Sequence, residues 1–308
     1  MSQIQFHESS AIAPVLFLAG HEGDAVLAVI TAIEGPSYRP LGAMMALTPE
    51  GDRVGSLSSG CVEADIALHA TEALNEGTLR VIRYGRGSPF VDIELPCGGG
   101  LEITLIPQPS RPVLQQIGKA FHERAPISLV VDLRTGSLQT RTAGETGVQS
   151  DAFFVRFDPE IHFFVFGKGP EASTFALLAQ SAGFGITLLS PDQETLELAR
   201  QAGIEIRHLT SAKVPADIEP DAHSAALLFF HDHDWEPDII SQLVTSEAFY
   251  IGAQGSQRAA EARRAALFAL GLSDQDCARI RGPIGLIPSA RDARKLAVSV
   301  LAEVMNMR

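Results

Sequence analysis

The sequence has few cysteines and no long apolar run. Its three cysteines, Cys61, Cys97 and Cys277, are too few and too scattered for a disulfide framework, and none belongs to a C-x-x-C pair. No apolar stretch approaches the ~18 residues that span a bilayer, and residues 1–10 lack a basic leader followed by an apolar segment. We therefore expect free thiols, no membrane span and a cytoplasmic protein.

Positive charge is also in short supply. The sequence has 24 Lys and Arg against 37 Asp and Glu, for a formal net charge of -13. No run of basic residues offsets this charge, and a field of this sign repels a polyphosphate backbone, so we expect no nucleic-acid partner. A small anion can still bind, because backbone amides and one or two cations act over a few ångströms whatever the net charge.

The length of 308 residues exceeds what one ordinary core supports and predicts two domains. The first half has short strand and helix patterns in mixed order, whereas strand and helix patterns alternate in the second, as in a parallel sheet with crossover helices. We predict an α/β protein with a mixed α/β N-terminal domain over residues 1–158 and a Rossmann-like C-terminal domain over residues 159–308.

A glycine turn opens the second half. The apolar segment F-F-V-F over residues 163–166 runs into G-K-G-P-E-A over residues 167–172, a G-x-G-x-x-A pattern at a predicted helix start. Gly167 permits the tight turn, and Gly169 lets the backbone approach a phosphate that faces the helix N-terminus. The turn either binds a phosphate-bearing ligand, for which Lys168 argues, or is a feature of the fold without a ligand.

The end of the second predicted strand disfavours the ordinary dinucleotides. It reads L-S-P over residues 189–191, without the acidic residue that holds the ribose in NAD sites. The acidic stretch D-Q-E over residues 192–194 would repel the 2′-phosphate of NADP. An NAD(P)-dependent oxidoreductase is therefore kept only as an alternative.

Two cysteines lie in glycine-rich segments of the first half. Cys61 follows G-S-L-S-S-G and precedes a predicted helix, and Cys97 precedes three glycines. The dipole at a helix start would lower the pKa of the Cys61 thiol, as a metal-ligating or sulfur-transferring cysteine requires. The spacing leaves open the alternative that both are small buried apolar residues, as free cysteines usually are.

Polar residues also follow the fourth predicted strand of the second half. The run H-D-H-D over residues 231–234 lies at the sheet edge where open α/β folds bind ligands, and such residues can ligate a metal. We favour a solvated loop. On the helix that follows the next strand, Arg258, Arg263 and Arg264 are expected on a solvated face, with Arg258 able to reach a phosphate.

The last predicted helix carries an aliphatic stripe. Its members are Leu296, Val300 and Val304, at helical spacing. This stripe is expected to serve as core or as a dimer contact.

Several motifs in a fixed order carry a family resemblance. They are G-P-S-Y-R-P-L-G-A-M-M over residues 35–45, G-S-L-S-S-G-C-V-E-A-D over 55–65, Y-G at 84–85, C-G-G-G at 97–100, G-K-G at 167–169, H-D at 231–232, Y-I-G-A-Q-G-S at 250–256, G-P-I-G-L at 282–286 and L-A-V-S-V-L-A-E at 296–303. Over nearly the full chain, this series resembles the XdhC/CoxI family of xanthine dehydrogenase accessory proteins.

The resemblance implies a chaperone more than an enzyme. Such a protein binds molybdenum cofactor (molybdopterin) while a cysteine desulfurase supplies its sulfido ligand. It then inserts the cofactor into the molybdenum-binding subunit of xanthine dehydrogenase or a related hydroxylase. We also expect a homodimer. The alternative from another class is a sulfurtransferase that carries a persulfide on Cys61 or Cys97.

Site residues are carried over only inside matched motifs. By the resemblance, Cys61 and Cys97 lie near the molybdenum, and Arg39 with the amides around Gly60 and Gly98 contacts the pterin or its phosphate. The other predicted cofactor-binding residues are Glu63, Gly99, Gly167, Lys168, Gly169 and His231. The family's turn often reads G-A-G-H, which this chain replaces with G-K-G-P. This departure leaves open a pterin dinucleotide in place of the mononucleotide.

Overall fold

The computed structural model describes residues 10–58, 60, 62–88, 95–96 and 98–307, with the side chain of residue 233 left out. The chain divides into two compact units, Met1–Pro159 (unit 1) and Glu160–Arg308 (unit 2). The division lies in the segment D-P-E over residues 158–160.

Unit 1 combines helices with antiparallel sheets. Its described elements are α1 (Ala13–Gly20), β1 (Val26–Glu34), β2 (Met44–Leu47), β3 (Arg53–Gly55), α2 (Glu63–Glu76), β4 (Arg80–Gly85), β5 (Gly100–Pro107), α3 (Arg111–His122), β6 (Ile127–Asp132), β7 (Leu138–Arg141), β8 (Gly147–Gln149) and β9 (Ala152–Phe157). One sheet has the strand order β3-β2-β1-β5-β4, and the other has the order β7-β6-β9-β8. The sequence pattern also predicts a strand over residues 90–95, which fall largely outside the described residues, whereas it predicts no strand at β8.

Strand β1 shows why the first sheet is covered on both faces. Its alternate residues Leu27 and Val29 belong to an apolar cluster with α1, α3 and the second sheet. Val26, Ala28 and Ile30 point the other way, into a cluster with α2. Successive side chains of a strand face opposite sides, so an unbroken apolar run is what a strand between two cores requires.

Unit 2 is a doubly wound α/β domain. Its elements are β10 (His162–Gly167), α4 (Pro170–Ser181), β11 (Gly185–Ser190), α5 (Gln193–Gln201), β12 (Glu205–His208), β13 (Ser224–Phe229), a 3₁₀ turn (His233–Trp235), α6 (Glu236–Leu243), β14 (Tyr250–Ala253), α7 (Gln257–Ala269), α8 (Asp274–Ala278), β15 (Ile280–Arg281) and α9 (Ala293–Asn306). The parallel strands follow the order β12-β11-β10-β13-β14-β15. This is the strand order of a Rossmann sheet, so the predicted fold class is confirmed. The sequence patterns missed α8 and β15, which are only a few residues long.

The order of the strands reverses between β10 and β13. Phe163 and Val165 of β10 face one apolar cluster, and Phe164 and Phe166 face another on the opposite side of the sheet. The glycine turn after β10 and the H-D-H-D run after β13 therefore lie at the carboxyl ends of neighbouring strands. This is the position where open α/β sheets bind ligands.

One expectation about α7 is wrong. Arg263 is 5% exposed, in place of lying on a solvated face. Its Nε donates to Oε2 of the buried Glu236 over 2.8 Å, and a terminal nitrogen donates to the carbonyl of Gln254 over 2.7 Å. The neighbouring Arg264 is exposed, as expected, and pairs with Asp274 at the surface.

The aliphatic stripe of α9 is core. Leu296, Val300 and Val304 are buried inside unit 2, so they offer no surface for a dimer contact. The homodimer stays a prediction. Among the described residues, no helix combines the length and the apolar character needed to cross a membrane.

Candidate functional site

The loop before α2 closes around the side chain of Glu63, the first residue of that helix. From the loop's described residues, six donors converge on its two carboxylate oxygens: Ser56 Oγ at 2.9 Å, Leu57 N at 3.1 Å and Ser58 N at 2.8 Å on Oε1, and Ser58 Oγ at 2.5 Å, Gly60 N at 2.9 Å and Val62 N at 3.2 Å on Oε2. The local sequence explains this closure, because serine hydroxyls and consecutive loop amides supply many donors for one anion. Glu63 therefore acts as an internal anion for the loop.

These contacts fix the charge of Glu63. Its side chain is almost fully buried, and burial alone would raise its pKa. Hydrogen bonds from Ser58 and Ser56 outweigh burial and lower the pKa to about 2. Cys61 stands in the sequence between Gly60 and Val62, whose amides both bind this carboxylate. These amides, which the resemblance places in contact with the pterin or its phosphate, are engaged by Glu63.

Three glycine-containing motifs of the sequence meet beside the start of β5. A Cβ on Gly99 would collide with the carbonyl oxygen of Pro36, and a Cβ on Gly85 would collide with the carbonyl oxygen of Gly99. The amide of Gly98 donates to the carbonyl of Leu95 over 2.8 Å. Only residues without side chains allow these segments to approach so closely, which explains why glycines recur in all three motifs.

A cavity of about 580 Å³ opens in unit 1. Its described lining comes from the G-P-S-Y-R-P-L-G-A-M-M motif, from β3 and the start of the Glu63 loop, and from β9: Ser10, Ala11, Arg39, Pro40, Leu41, Gly42, Ala43, Met44, Arg53, Val54, Gly55, Ser56, Thr146, Val155, Arg156 and Phe157. This volume is typical of small-molecule sites, which are mostly apolar with a few placed polar groups. The lining has three arginines and, among its described residues, no Asp or Glu.

Arg39 is held in place by its own segment. The Oγ of Ser37 donates to the carbonyl of Arg39 over 2.7 Å and accepts from its amide over 3.2 Å, and Pro40 restricts the backbone of the residue before it. The Nε of Arg39 is buried and has no hydrogen-bond partner among the described residues. A buried donor without a partner is costly, and the residue that carries it lines the cavity.

The glycine turn of unit 2 is closed by its own neighbours. A Cβ on Gly167 would lie 2.5 Å from the carbonyl oxygen of Phe229 on β13, so the strands require glycine here. Gly169 has a φ of 81° and donates its amide to Thr195 Oγ1 over 2.9 Å. That hydroxyl donates to Asp192 Oδ2 over 2.6 Å, and the carboxylate also accepts the Thr195 amide as the N-cap of α5. The Gly169 amide and Asp192 are both engaged inside the fold.

Charges of both signs surround this turn. The Nζ of Lys168 lies 4.0 Å from Oδ2 of Asp232. The Nε2 of the exposed His231 lies 3.2 Å from Oε2 of Glu171, in the first turn of α4. Lys168 therefore stands beside a carboxylate, so this edge of the sheet offers little excess positive charge to a phosphate. No metal site formed by three or more His, Cys, Asp or Glu is present in the part of unit 2 or unit 1 that the structure describes.

Similarity to known sequences decides the family. The XdhC Rossmann domain matches residues 163–304, and the XdhC and CoxI family model matches residues 19–85. The molybdenum cofactor insertion chaperone PaoD of Escherichia coli (strain K12) is 36% identical over 285 residues, which cover 92% of this chain and 83% of PaoD. The chain belongs to the XdhC and CoxI family.

Two further proteins are similar to this member of the XdhC and CoxI family. A probable xanthine dehydrogenase subunit of Bacillus subtilis (strain 168) is 26% identical over 317 residues, which cover 92% of this chain and 93% of that protein. The crystal structure of a xanthine dehydrogenase from Bacillus halodurans has a TM-score of 0.79 at 23% identity, covering 97% of this chain and 95% of that chain. The last likeness shows the shared fold.

The predicted site residues fall into three groups in this family member. Unit 1 holds Arg39 on the cavity wall, Gly60 and Glu63 in the loop before α2, and Gly98 and Gly99 beside the turn at residues 35–36. Unit 2 holds Gly167, Lys168, Gly169 and His231 at the carboxyl edge of its sheet. Cys61 and Cys97 lie outside the described residues, so their predicted places near molybdenum stay predictions.

Sequence reasoning missed two arginines of the cavity. Arg53 lies on β3 and Arg156 on β9, far apart in sequence and outside any of the matched motifs. The only signal at Arg156 was its alternation with buried neighbours in the pattern A-F-F-V-R-F, which indicates a strand but not a site. The two strands belong to different sheets, and the packing of these sheets, which the sequence does not reveal, places both residues on one cavity.

Proposed function

We propose that this protein binds molybdenum cofactor as cargo and inserts it into the molybdenum-binding subunit of a xanthine dehydrogenase-type hydroxylase. The observation that carries the proposal is the 36% identity to the insertion chaperone PaoD over nearly the whole chain. Under this proposal the protein works in the cytoplasm and holds the cofactor while a cysteine desulfurase supplies the terminal sulfur. It acts as a carrier more than as an enzyme.

The chemistry of the unit 1 cavity supports this cargo. Apolar side chains such as Leu41, Val54 and Val155 line it and suit a flat heterocycle. Arginine guanidinium groups on the same cavity suit a phosphate, which they bind through directed, charge-assisted hydrogen bonds. Molybdopterin combines a flat ring system with a phosphate, so both parts of the lining have a counterpart in the cargo.

The two thiols of unit 1 are proposed to face the molybdenum end. Glu63 supports this for Cys61, because it fixes the amides on both sides of that residue in the sequence. For Cys97 the support comes from Gly99, two residues later in the sequence. Gly99 packs closely against Pro36, which belongs to the same motif as Arg39. A fixed backbone on either side is what a ligand position needs.

The test is cofactor retention. The protein is purified from cells that make the cofactor, its molybdenum is measured, and the released pterin is identified as mononucleotide or dinucleotide. We expect the wild-type protein to carry molybdenum. The double variant Cys61→Ala/Cys97→Ala is expected to lose about tenfold or more of it, because loss of groups that hold or orient a metal weakens binding by that order.

The third cysteine provides the matched control. Cys277 is buried in unit 2, and burial raises the pKa of its thiol, so it is expected to be inert. Cys277→Ala should retain cofactor like the wild type. Equal retention in the double variant and in this control would overturn the role of the two thiols, whereas a wild-type protein without molybdenum or pterin would overturn the proposed function itself.

A further inference from the structure

The unit 1 cavity is positively charged within an acidic protein. Of its described lining residues, Arg39, Arg53 and Arg156 are charged and all are arginines, whereas the whole sequence has a formal net charge of -13. Arginines on one cavity repel each other, and keeping them there has a cost. A local cluster of positive charge on a protein whose overall charge is negative indicates a site for an anion.

The three arginines differ in how they are held. Both Nε and a terminal nitrogen of Arg156 contact Oδ1 of Asp158, each over 2.9 Å, and this pairing orients its guanidinium. Arg39 is positioned by its own turn and has the buried Nε described above. Neither Arg39 nor Arg53 pairs with a carboxylate among the described residues. Within the described part of unit 1, two positive charges are thus left without a counter-charge, which corresponds to a dianion.

Gly42 allows the segment of Arg39 to reach this place. Its φ is 82°, and a Cβ there would lie 2.8 Å from Thr146 and 3.3 Å from Val155. Both neighbours also line the cavity, and both belong to the part of unit 1 that carries Arg156. The absence of a side chain at residue 42 therefore lets the segment with Arg39 pack against the chain that carries Arg156.

We infer that this cavity is a phosphate-dianion site in which Arg39 is the principal ligand and Arg53 and Arg156 supply further charge. The identification of the dianion as the phosphate or diphosphate of molybdenum cofactor depends on the function proposed above; the anion site itself does not. The site lies in unit 1. In the glycine turn of unit 2, the usual phosphate position of a Rossmann domain, the Gly169 amide is engaged by Thr195 and Lys168 stands beside Asp232. In an ordinary dehydrogenase the Rossmann domain binds the phosphate, whereas here the candidate phosphate site lies in the other unit.

The experiment measures binding of defined anions to the full chain purified free of cofactor. Isothermal titration calorimetry is run with inorganic pyrophosphate, with a nucleoside monophosphate as a phosphate monoester, and with inorganic phosphate. We expect pyrophosphate or the monoester to bind, with an affinity that falls as salt is added, because exposed guanidinium groups are screened. Preference for pyrophosphate favours a dinucleotide cargo, and preference for the monoester favours a mononucleotide.

Variants then assign the binding to the cavity. Arg39→Gln is expected to weaken the preferred anion by roughly tenfold to a hundredfold, because it removes charge-assisted hydrogen bonds. Arg39→Lys keeps the charge without the planar fork and should lose less. Arg134→Gln is the matched control, since Arg134 is an exposed arginine of unit 1 that does not line the cavity. Thermal unfolding of each variant confirms that the fold is retained.

The outcomes separate the site from the cargo. Equal anion affinity in wild type, Arg39→Gln and Arg134→Gln, or no binding of any probe, would overturn the anion site even if the protein retains molybdenum cofactor. Arg39-dependent anion binding in a protein that never carries cofactor would sustain the site and overturn the proposed function. Arg39-dependent binding together with loss of cofactor from Arg39→Gln would support both.

Discussion

Glu63→Gln is expected to release the loop before α2 and to reduce cofactor retention with it. Both oxygens of the native carboxylate face donors only, so the amide nitrogen of glutamine would meet hydroxyl and backbone donors in place of acceptors. The lowering of the Glu63 pKa from 4.5 to about 2 corresponds to roughly 3 kcal/mol at neutral pH. Hydrogen exchange at the amides of Ser58, Gly60 and Val62 should therefore accelerate by roughly a hundredfold.

This effect has a definite pH dependence. The pKa of Glu63 is lower in the folded protein than in the unfolded chain, so its stabilising contribution is complete above the unfolded value and disappears as the pH falls towards the folded value. The difference in exchange between wild type and Glu63→Gln should be largest near neutral pH. It should shrink once the pH falls below about 4.5.

Glu50→Gln is the control for the chemical change. Glu50 is exposed in the turn between β2 and β3, so the same loss of charge should leave exchange in the loop unchanged. The role assigned to Glu63 would be refuted by loop exchange that is the same in both variants. A loop that is released without any loss of bound cofactor would instead show that Glu63 positions the loop but that the loop does not hold the cargo.

Arg263→Met should destabilise unit 2 by about 3–5 kcal/mol, because it removes the guanidinium that faces the buried carboxylate of Glu236. Glu236 is fully buried, and Arg263 is 5% exposed. The pair joins α7 to α6 and to the end of β14 through the carbonyl of Gln254. The single tryptophan of the sequence, Trp235, lies beside Glu236 in unit 2, so urea unfolding followed by its fluorescence reports on this unit.

Two further variants distinguish the buried pair from ordinary helix effects. Arg264→Met removes the next arginine of the same helix, whose exposed pair with Asp274 should be worth less than about 1 kcal/mol. The double variant Glu236→Met/Arg263→Met replaces both charges by apolar side chains of similar length and should regain much of the lost stability. Equal losses in the two single variants would contradict the interpretation of Arg263 as the partner of a buried charge.

The strands and helices of unit 2 could be predicted because their pattern is local. Apolar runs such as residues 163–166 and 225–230 have the length and composition of buried parallel strands, and glycine or polar segments separate them from amphipathic helices. Arg263 shows the limit of such reasoning. An arginine on a helix is usually solvated, and only the buried Glu236 on another helix made its burial favourable.

The candidate site was predictable only in part. Motif order located Arg39 and the loop of Glu63, but the loop motif did not reveal that the carboxylate faces inward. A glutamate at a helix start is equally consistent with a surface cap, a ligand or an internal anion. The six donors around Glu63 distinguish these roles, and they come from a loop conformation that has no pattern of its own.

The sequence by itself determined the family, the Rossmann class of the second half and the positions of its glycine turns, because these depend on residues close together in the chain. Tertiary structure alone decided that Arg39, Arg53 and Arg156 share a cavity, that Glu63 satisfies its own loop and that Arg263 is buried. The arrangements of the arginines depend on side chains from separate segments meeting in space, and that of Glu63 depends on the conformation of one loop. In each case burial and the pairing of charges determine the stability. Neither quantity is encoded in the spacing of residues along the chain.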